Sequence, residues 1–178
     1  DVARGALLGR PDALIADEVD VLISALLRNP ARTRDVRYTR GYYNAGLVLV
    51  RDVDSSISSM ADLAGGRLAY EFGSAADAES RQWLRRIDDF ERRPYELPAY
   101  ALDALRLGDA DAALVDQTSY RLYMRDHTDW ETAFSGVTVA PYTTAVRVDR
   151  YAAWEAIEMS LNALQMDGSL EVIIRRWL

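Results

Sequence analysis

The chain has 178 residues, of which 49% are apolar and 28% charged, which suits one globular domain or two small lobes around a hydrophobic core. Its net charge of −7 argues against a nucleic-acid backbone as a partner, and no apolar run approaches the ~18 residues of a membrane-spanning helix. It has no cysteine, and all 21 basic residues are arginine, which excludes thiolate, disulfide, Schiff-base and P-loop chemistry. The only histidine, His127, lies in a polar segment and is expected to be a solvated loop residue.

Apolar runs and turn residues predict short elements in the first third of the chain. Val19–Ser24 is mostly apolar, so we expect a central strand there. The expected elements in order are a helix at Asp1–Gly9, one helical turn at Ala13–Ala16, a strand at Val19–Ser24, a polar loop at Leu27–Asp35, an aromatic-rich loop at Tyr38–Tyr43 and a strand at Gly46–Arg51.

The stretch from Leu68 to Arg86 predicts a buried strand, a glycine turn and a helix. Gly73 permits the turn, and Ser74 is a good N-cap with Asp77 three residues on, as in a capping box. The first N–H groups of such a helix can hold a carboxylate or phosphate. The alternative is a capped turn that binds nothing.

The rest of the chain alternates helices with strands, which indicates the α/β class. The segment Ala99–Leu107 has Ala101, Leu102, Ala104 and Leu105 on its predicted inner face. In other predicted helices we expect Leu84, Ile173 and Trp177 to face inward and Leu122 to be partly buried. The expected elements are a short helix at Met60–Gly66, strands at Tyr95–Pro98, Ala110–Val115, Val137–Ala140 and Thr144–Val148, and helices at Ala99–Leu107, Gln117–Arg125, Tyr151–Gln165 and Leu170–Trp177.

Segments in this order resemble the bacterial extracellular solute-binding proteins of family 3, the amino-acid receptors of ABC importers. The resemblance covers roughly Val19–Trp177. It rests on Asp20–Ser24 with Asn29–Arg32 and Tyr42–Tyr43, on Asp62–Tyr70 with Gly73–Ser74, on Ala104–Ala112 ending at Asp116, and on Leu161–Leu164 with Asp167–Gly168 and Trp177. It implies a two-lobed periplasmic-binding-protein (Venus flytrap) fold, each lobe a mixed sheet flanked by helices, with a ligand held between the lobes.

The resemblance also implies roles for individual residues. Arg32 would clamp the α-carboxylate of an amino acid, because a guanidinium fork fits a carboxylate bidentately. Ser74 and Ala75 would offer backbone N–H groups to the same carboxylate, and Asp116 would accept hydrogen bonds from the α-ammonium. Two alternatives stay open: Arg32 as a solvated loop arginine, and Asp116 as the cap of the helix that starts at Gln117.

Two further residues are candidate contacts to the ligand's side chain. Glu71 precedes the binding turn and would favour a cationic side chain, unless it is a solvated strand-end glutamate. Tyr42 is a candidate wall, unless it packs in a hinge. Neither a metal nor a cofactor is expected.

The chain departs from the family's sequence pattern towards its amino end. Asn29 replaces the usual threonine, and the family's first strands are absent, so we expect the first lobe to be incomplete. Either residues are missing near Arg10–Asp17, or a partner chain completes the lobe. The predicted boundaries are 1–47 with 142–178 for lobe 1 and 48–141 for lobe 2, with hinge strands near 46–51 and 137–148.

The predicted function is therefore extracytoplasmic binding of an amino acid or similar small polar solute for delivery to an ABC importer. The expected partners are that ligand and the transporter's membrane subunits, with no nucleic acid, and the protein is expected to be a monomer. It would be an exported periplasmic or extracellular protein, either free or tethered to the membrane. The alternatives are the ligand-sensing ectodomain of a receptor and a dehydratase-type enzyme, in which Glu71 and Asp116 would be the general acid or base.

Overall fold

A computed structural model describes residues 11–87 and 89–178. The chain forms two compact units: unit 1 comprises the residues up to Asn44 together with Ala140–Trp177, and unit 2 comprises Ala45–Val139 and Leu178. The predicted helix at Asp1–Gly9 lies outside the described residues. The described strands are β1 Val21–Leu27, β2 Val36–Asn44, β3 Leu47–Asp52, β4 Arg67–Glu71, β5 Glu91–Tyr95, β6 Ala112–Asp116, β7 Thr132–Gly136 and β8 Pro141–Arg147. The described α-helices are α1 Asp12–Ile15, α2 Ala75–Trp83, α3 Pro98–Arg106, α4 Gln117–Asp126, α5 Tyr151–Met166 and α6 Ser169–Trp177, and short 3-10 helices cover Pro30–Arg32 and Met60–Leu63.

The described strands of unit 2 form a mixed sheet in the order β5-β4-β6-β3-β7. Strand β4 runs parallel to β5 and β6, whereas β3 runs antiparallel to β6 and β7. The fold is therefore mixed α/β, as predicted. Because the carboxyl ends of β4 and β6 meet at one edge, the turns that follow Glu71 and Asp116 lie at the same end of the sheet.

The sheet of unit 2 is covered on both faces, which explains why its central strands are continuously apolar. One face packs against α3 and α4, and the other packs against α2 and the 3-10 helix at Met60–Leu63. Alternate residues serve the two faces: Val48 and Ala69 lie in the first cluster, and Leu49 and Leu68 in the second. The predicted inner face of α3 is confirmed, since its four predicted residues are all buried.

The described strands of unit 1 pair antiparallel in the order β1-β8-β2. The prediction that the first strand is central is therefore wrong within the described residues, because β1 lies at an edge. Ile23 is 69% exposed and Leu27 is 50% exposed. An apolar run shows that a strand can be covered on both faces, but it does not show how many neighbours pair with it.

Three predicted boundaries are wrong. The aromatic-rich segment Tyr38–Tyr43 is not a loop but part of β2, because Val36, Arg37 and Tyr38 pair with β8. The predicted strand Tyr95–Pro98 is replaced by β5, which ends at Tyr95 and contains Pro94. Proline fits there because β5 is an edge strand and needs hydrogen bonds on one side only. The predicted strand Val137–Ala140 is replaced by β7, which ends at Gly136.

Several predicted inward residues are exposed. The exposed fractions are 43% for Leu84, 44% for Leu122, 47% for Ile173 and 67% for Trp177. Helical periodicity marks an apolar face, but whether that face is buried depends on the element that lies opposite. In unit 1, α5 contributes no fully buried side chain either.

The turn before β1 is hydrogen-bonded. Backbone hydrogen bonds join Ala16 N to Asp12 O at 2.9 Å and Glu18 N to Ala13 O at 3.0 Å. Whether residues are missing near Arg10–Asp17 stays a prediction, and Arg10 lies outside the described residues. No helix within residues 11–87 and 89–178 is long and apolar enough to cross a membrane.

The core of unit 2 yields the first prediction. Leu114 is fully buried in β6, and Leu114→Ala should lower the free energy of unfolding by about 2–5 kcal/mol, because it removes packed atoms and leaves a cavity. The matched control is Leu107→Ala, since Leu107 is 70% exposed and its truncation should change stability by less than about 0.5 kcal/mol. Urea unfolding of the two variants measures the difference, and equal midpoints would contradict the packing described.

Candidate functional site

The turn between β4 and α2 is built by a glycine and a serine. Gly73 has φ +74°, a conformation that a side chain would strain. Ser74 is the N-cap of α2, and its Oγ accepts hydrogen bonds from the N–H groups of Ala76 at 3.1 Å and Asp77 at 3.4 Å. The same hydroxyl donates to the carbonyl oxygen of Glu71 at 2.7 Å, which ties the helix start to the end of the strand.

The carboxylate of Asp77 stabilises this turn through hydrogen bonds and ion pairs. Its side chain is only 2% exposed, and its Oδ2 accepts from the N–H of Gly73 at 3.0 Å. In a capping box this hydrogen bond would come from the N–H of the N-cap residue, Ser74, one position later. Its oxygens also accept from Arg81 Nη2 at 2.7 Å and from Arg92 Nη2. Burial alone would raise the pKa of Asp77, but the Gly73 N–H and the two guanidinium groups outweigh it and hold the pKa below its ordinary value.

One N–H group of the turn has no acceptor among residues 11–87 and 89–178. Within the described residues, the N–H groups of Gly73, Ala76 and Asp77 all donate to side chains, and that of Ser74 donates to Glu71 O at 3.4 Å. Ala75 is the first residue of α2, and no hydrogen bond from its N–H is found in the described part of the chain. A helix start with one unsatisfied donor and the positive end of the helix dipole suits a single carboxylate oxygen.

A cavity of about 80 Å³ lies in unit 2 beside this donor. It is lined by Leu47, Glu71, Ser74, Ala75, Ala76, Pro98, Leu114, Val115 and Asp116. Four of the six predicted ligand-binding residues therefore line one cavity: Glu71, Ser74, Ala75 and Asp116. Ligand pockets usually measure about 300–1,000 Å³, so this cavity has room for the head group of a small molecule and not for a long side chain.

Asp116 is the N-cap of α4, which was one of the two roles predicted for it. Its Oδ1 accepts from the N–H of Ser119 at 2.9 Å and its Oδ2 accepts from the hydroxyl of Ser119 at 2.6 Å. A carboxylate has about four lone-pair sites, so Asp116 can serve as cap and still accept from an ammonium group in the cavity. The two readings of this residue are compatible.

Arg32 lies in unit 1, in the 3-10 helix Pro30–Arg32. Asn29 caps that helix, because its Oδ1 accepts from the N–H of Ala31 at 3.0 Å. Asparagine thus supplies the N-cap, a role that threonine can also fill. The Arg32 guanidinium lies 3.0 Å from Asp12, and both side chains are well exposed, at 40% and 57%.

Tyr42 also lies in unit 1, in β2. Its hydroxyl donates to the carbonyl oxygen of Ser24 at 2.6 Å, and its ring lines an apolar groove of about 330 Å³ with Ile23 and Leu161. Burial and the neighbouring Tyr142 raise the pKa of Tyr42. The hydroxyl holds β1 and β2 together, which is a structural role in itself.

Sequence reasoning missed five lining residues of the cavity, of which Leu47 and Pro98 come from distant segments, and one arginine. Leu47 lines the cavity because it lies directly opposite Asp116 in the β3–β6 ladder, and Pro98 does so as the first residue of α3. Both contacts join segments far apart in sequence, and no local pattern reports them. Arg92, the second partner of Asp77, lies in β5, where the sequence predicted no strand. No group of three or more metal-binding side chains is found within 11–87 and 89–178.

The sequence matches a known family. Residues 7–178 match the sequence profile of the bacterial extracellular solute-binding proteins, family 3. The chain belongs to that family. Among its relatives is the ABC transporter glutamine-binding protein of Bacillus subtilis, 24% identical over 90% of this chain and 58% of the relative. The arginine-binding extracellular protein of the same organism is 22% identical over 93% of this chain and 65% of the relative. The chain thus spans less than two thirds of the length of these relatives.

Solved structures agree on the fold. The L-cystine solute receptor of Neisseria gonorrhoeae, in its unliganded open conformation, superposes with a TM-score of 0.79 at 22% identity. The superposition covers 93% of this chain and 70% of the receptor. An ancestral amino-acid-binding protein described as a precursor of cyclohexadienyl dehydratase superposes with a TM-score of 0.55 at 21% identity, covering 98% of this chain and 76% of that protein.

Replacing the buried carboxylate of Asp77 tests how much its hydrogen bonds and ion pairs stabilise the protein. Asp77→Ala should lower the free energy of unfolding by about 2–3 kcal/mol, because it leaves the Gly73 N–H and the Arg92 guanidinium without their acceptor. The control is Asp54→Ala, which removes an exposed carboxylate and should be nearly neutral. Chemical unfolding at pH 7 gives both values, and a neutral Asp77→Ala would show that the cluster contributes nothing.

The lowered pKa of Asp77 also predicts a pH dependence. A carboxylate whose pKa is depressed by folding stabilises the native state above its unfolded pKa of about 3.9, and this contribution is lost as the pH falls through the lower native pKa. The stability difference between wild type and Asp77→Asn should therefore be full at pH 7 and shrink below pH ~4. A difference that is constant from pH 7 to pH 2.5 would contradict the depressed pKa.

Proposed function

We propose that the protein binds the α-carboxylate and α-ammonium groups of an amino acid, or of a similar small polar solute, outside the cytoplasm and delivers it to an ABC importer. The observation that carries the proposal is the cavity of unit 2, which has an unsatisfied N–H donor at Ala75 and a carboxylate at Asp116. A donor for an anion beside an acceptor for a cation is the chemistry that a zwitterionic head group requires. Relatives named as glutamine-binding and arginine-binding proteins support this substrate class.

The head group would sit in one orientation. Its carboxylate would accept from the Ala75 N–H at the positive end of α2, and its ammonium group would donate to Asp116. The small volume of the cavity favours this placement, because the cavity has room for the head group that all amino acids share and not for a long side chain. The protein would discriminate among ligands by the residues around the cavity, and Glu71 is the first of these.

The predicted role of Arg32 as a second carboxylate ligand stays a prediction. Its present ion pair with Asp12 is exposed, and such pairs contribute only about 0–1 kcal/mol, so an exchange of Asp12 for a ligand carboxylate would cost little. Tyr42 likewise stays a predicted ligand contact. Tethering to a membrane and a monomeric state also stay predictions, and a role in sensing instead of transport stays the alternative.

Binding without catalysis is the function we favour. Both oxygens of Asp116 accept hydrogen bonds from Ser119, which fixes the orientation of this carboxylate as an acceptor. The enzyme alternative, in which Glu71 and Asp116 exchange protons with a substrate, predicts turnover of a cyclic acid. Incubation with such acids followed by product analysis separates the two, and any stoichiometric excess of product over protein would favour the enzyme.

A single backbone substitution tests the carboxylate site. Ala75→Pro removes the unsatisfied N–H, yet proline is well tolerated at the first position of a helix, and Ser74 already has the extended backbone that precedes proline. We expect the melting temperature without ligand to stay within a few degrees and amino-acid binding to fall at least tenfold. Ala75→Gly keeps the N–H and should retain binding in a thermal-shift screen of the common amino acids.

The thermal-shift screen has an expected magnitude and outcomes that would contradict the proposal. Ligand at about one hundred times its Kd should stabilise the wild type by roughly 2.7 kcal/mol. In the same screen Arg32→Ala should abolish the shift, while Arg34→Ala should leave it nearly intact. Equal effects of the two arginine variants would show that the Arg32 assignment is wrong. No shift with any amino acid, measured on the full-length gene product, would overturn the transport function.

A further inference from the structure

A cavity of about 350 Å³ lies in unit 1 and shares no lining residue with the cavity of unit 2. It lies where three elements meet: the segment after β1, strand β2 and helix α5. Its lining includes Arg28, Thr33, Arg37, Tyr38 and Trp154. Arg28 and Thr33 are exposed, so a solute can reach the cavity from the side of the segment after β1.

The charged groups of this cavity are all positive. Its described lining contains two arginines, Arg28 and Arg37, and no carboxylate. Within residues 11–87 and 89–178 neither arginine forms an ion pair, whereas other arginines of the same unit do: Arg32, Arg40 and Arg147. The chain has 28 acidic and 21 basic residues, so a shortage of carboxylates does not explain the difference. Both guanidinium groups remain available to an anion.

Two buried polar atoms at this cavity lack a hydrogen-bond partner among the described residues, namely Arg37 Nε and the hydroxyl oxygen of Tyr38. Tyr38 is only 9% exposed. The described part of the chain contains three such atoms, so two of the three belong to residues that line one cavity. A buried donor without an acceptor costs its full desolvation free energy, and an acceptor held in the cavity would recover that cost.

The Arg37 guanidinium is held in place by aromatic rings and not by a carboxylate. Its central carbon lies 5.3 Å from the ring centres of both Tyr151 and Trp154. Trp154 is itself fixed, because its Nε1 donates to the carbonyl oxygen of Tyr38 at 3.0 Å. Tyr151 is the first residue of α5, so the positive end of that helix dipole lies beside the same guanidinium. Contacts with rings leave the N–H groups of Arg37 free to donate to an anion.

We propose that this cavity binds a phosphate or sulfate group through Arg28, Arg37 and the hydroxyl of Tyr38. Two guanidinium groups and a hydroxyl offer more donors than the two oxygens of a carboxylate can accept at once, whereas a tetrahedral oxyanion has acceptors in several directions. The cavity is larger than a free phosphate ion, so it also has room for the organic part of a small ester. The site is separate from the proposed amino-acid site, and binding there would stabilise unit 1.

Calorimetry on the full-length protein tests the site with inorganic phosphate, sulfate, glycerol phosphate and acetate, each matched in ionic strength with sodium chloride. The anions are kept at low millimolar concentration, because phosphate and sulfate stabilise proteins non-specifically when concentrated. We expect phosphate and sulfate to bind at least tenfold more tightly than acetate. Arg37→Gln should weaken phosphate binding at least tenfold, and Arg28→Gln, at an exposed position, at least threefold.

Tyr38→Phe separates binding from folding, because it removes one oxygen and keeps the ring. The hydroxyl has no partner in the described chain, so without an anion this variant should be at least as stable as the wild type. Its affinity for phosphate should nevertheless fall at least threefold. The matched control is Arg34→Gln, which removes an exposed arginine that does not line the cavity and should bind phosphate as the wild type does.

Four results would overturn the site: no binding of phosphate or sulfate, acetate binding as tightly as phosphate, wild-type affinity in both Arg37→Gln and Tyr38→Phe, or an equal loss in Arg34→Gln and Arg37→Gln. Tighter binding of glycerol phosphate than of inorganic phosphate would assign the site to an ester, and the reverse order would assign it to the free anion. Amino-acid binding, measured on the same wild-type protein, does not depend on any of these results.

Discussion

The buried carboxylate of Asp77 determines the geometry of the site more than any other group. It accepts from the Gly73 N–H and pairs with Arg81 and Arg92, and so it joins the turn, α2 and β5. With Gly73 and the first turn of α2 satisfied internally, Ala75 is left with an N–H that points to no acceptor in the described chain. Disturbing a buried carboxylate that is hydrogen-bonded and ion-paired costs free energy. The bonds of Asp77 therefore keep the turn in the conformation that exposes the Ala75 N–H to the cavity.

The site gains its chemistry from the meeting of chain segments at one edge of the sheet of unit 2. Glu71 ends β4 and Asp116 ends β6, and because these strands are parallel neighbours, both residues reach the same edge. Open α/β sheets bind ligands at the carboxyl ends of their strands for this reason. Leu47 and Pro98 supply apolar lining to the same cavity.

Unit 1 is less completely packed than unit 2 in the described residues. Its sheet ends at β1, where Ile23 is exposed, and the apolar stripe of α5 contains no fully buried side chain. That the first lobe is incomplete stays a prediction, and the chain spans less than two thirds of the length of its curated relatives. The periodicity of α5 and α6 predicted their helices correctly, but the exposure of Trp177 required the partner surface to be known.

The sequence by itself determined the α/β class, most of the helices, and the cap at Ser74, because capping, glycine turns and apolar periodicity act over a few neighbouring residues. Its motifs also carried the resemblance that named Arg32, Ser74, Ala75 and Asp116. Only the tertiary structure decided which strands are neighbours, and therefore that Glu71, Ala75 and Asp116 line one cavity with Leu47 and Pro98. Strand order and edge position depend on pairing between distant segments, and no local pattern of residues encodes that pairing.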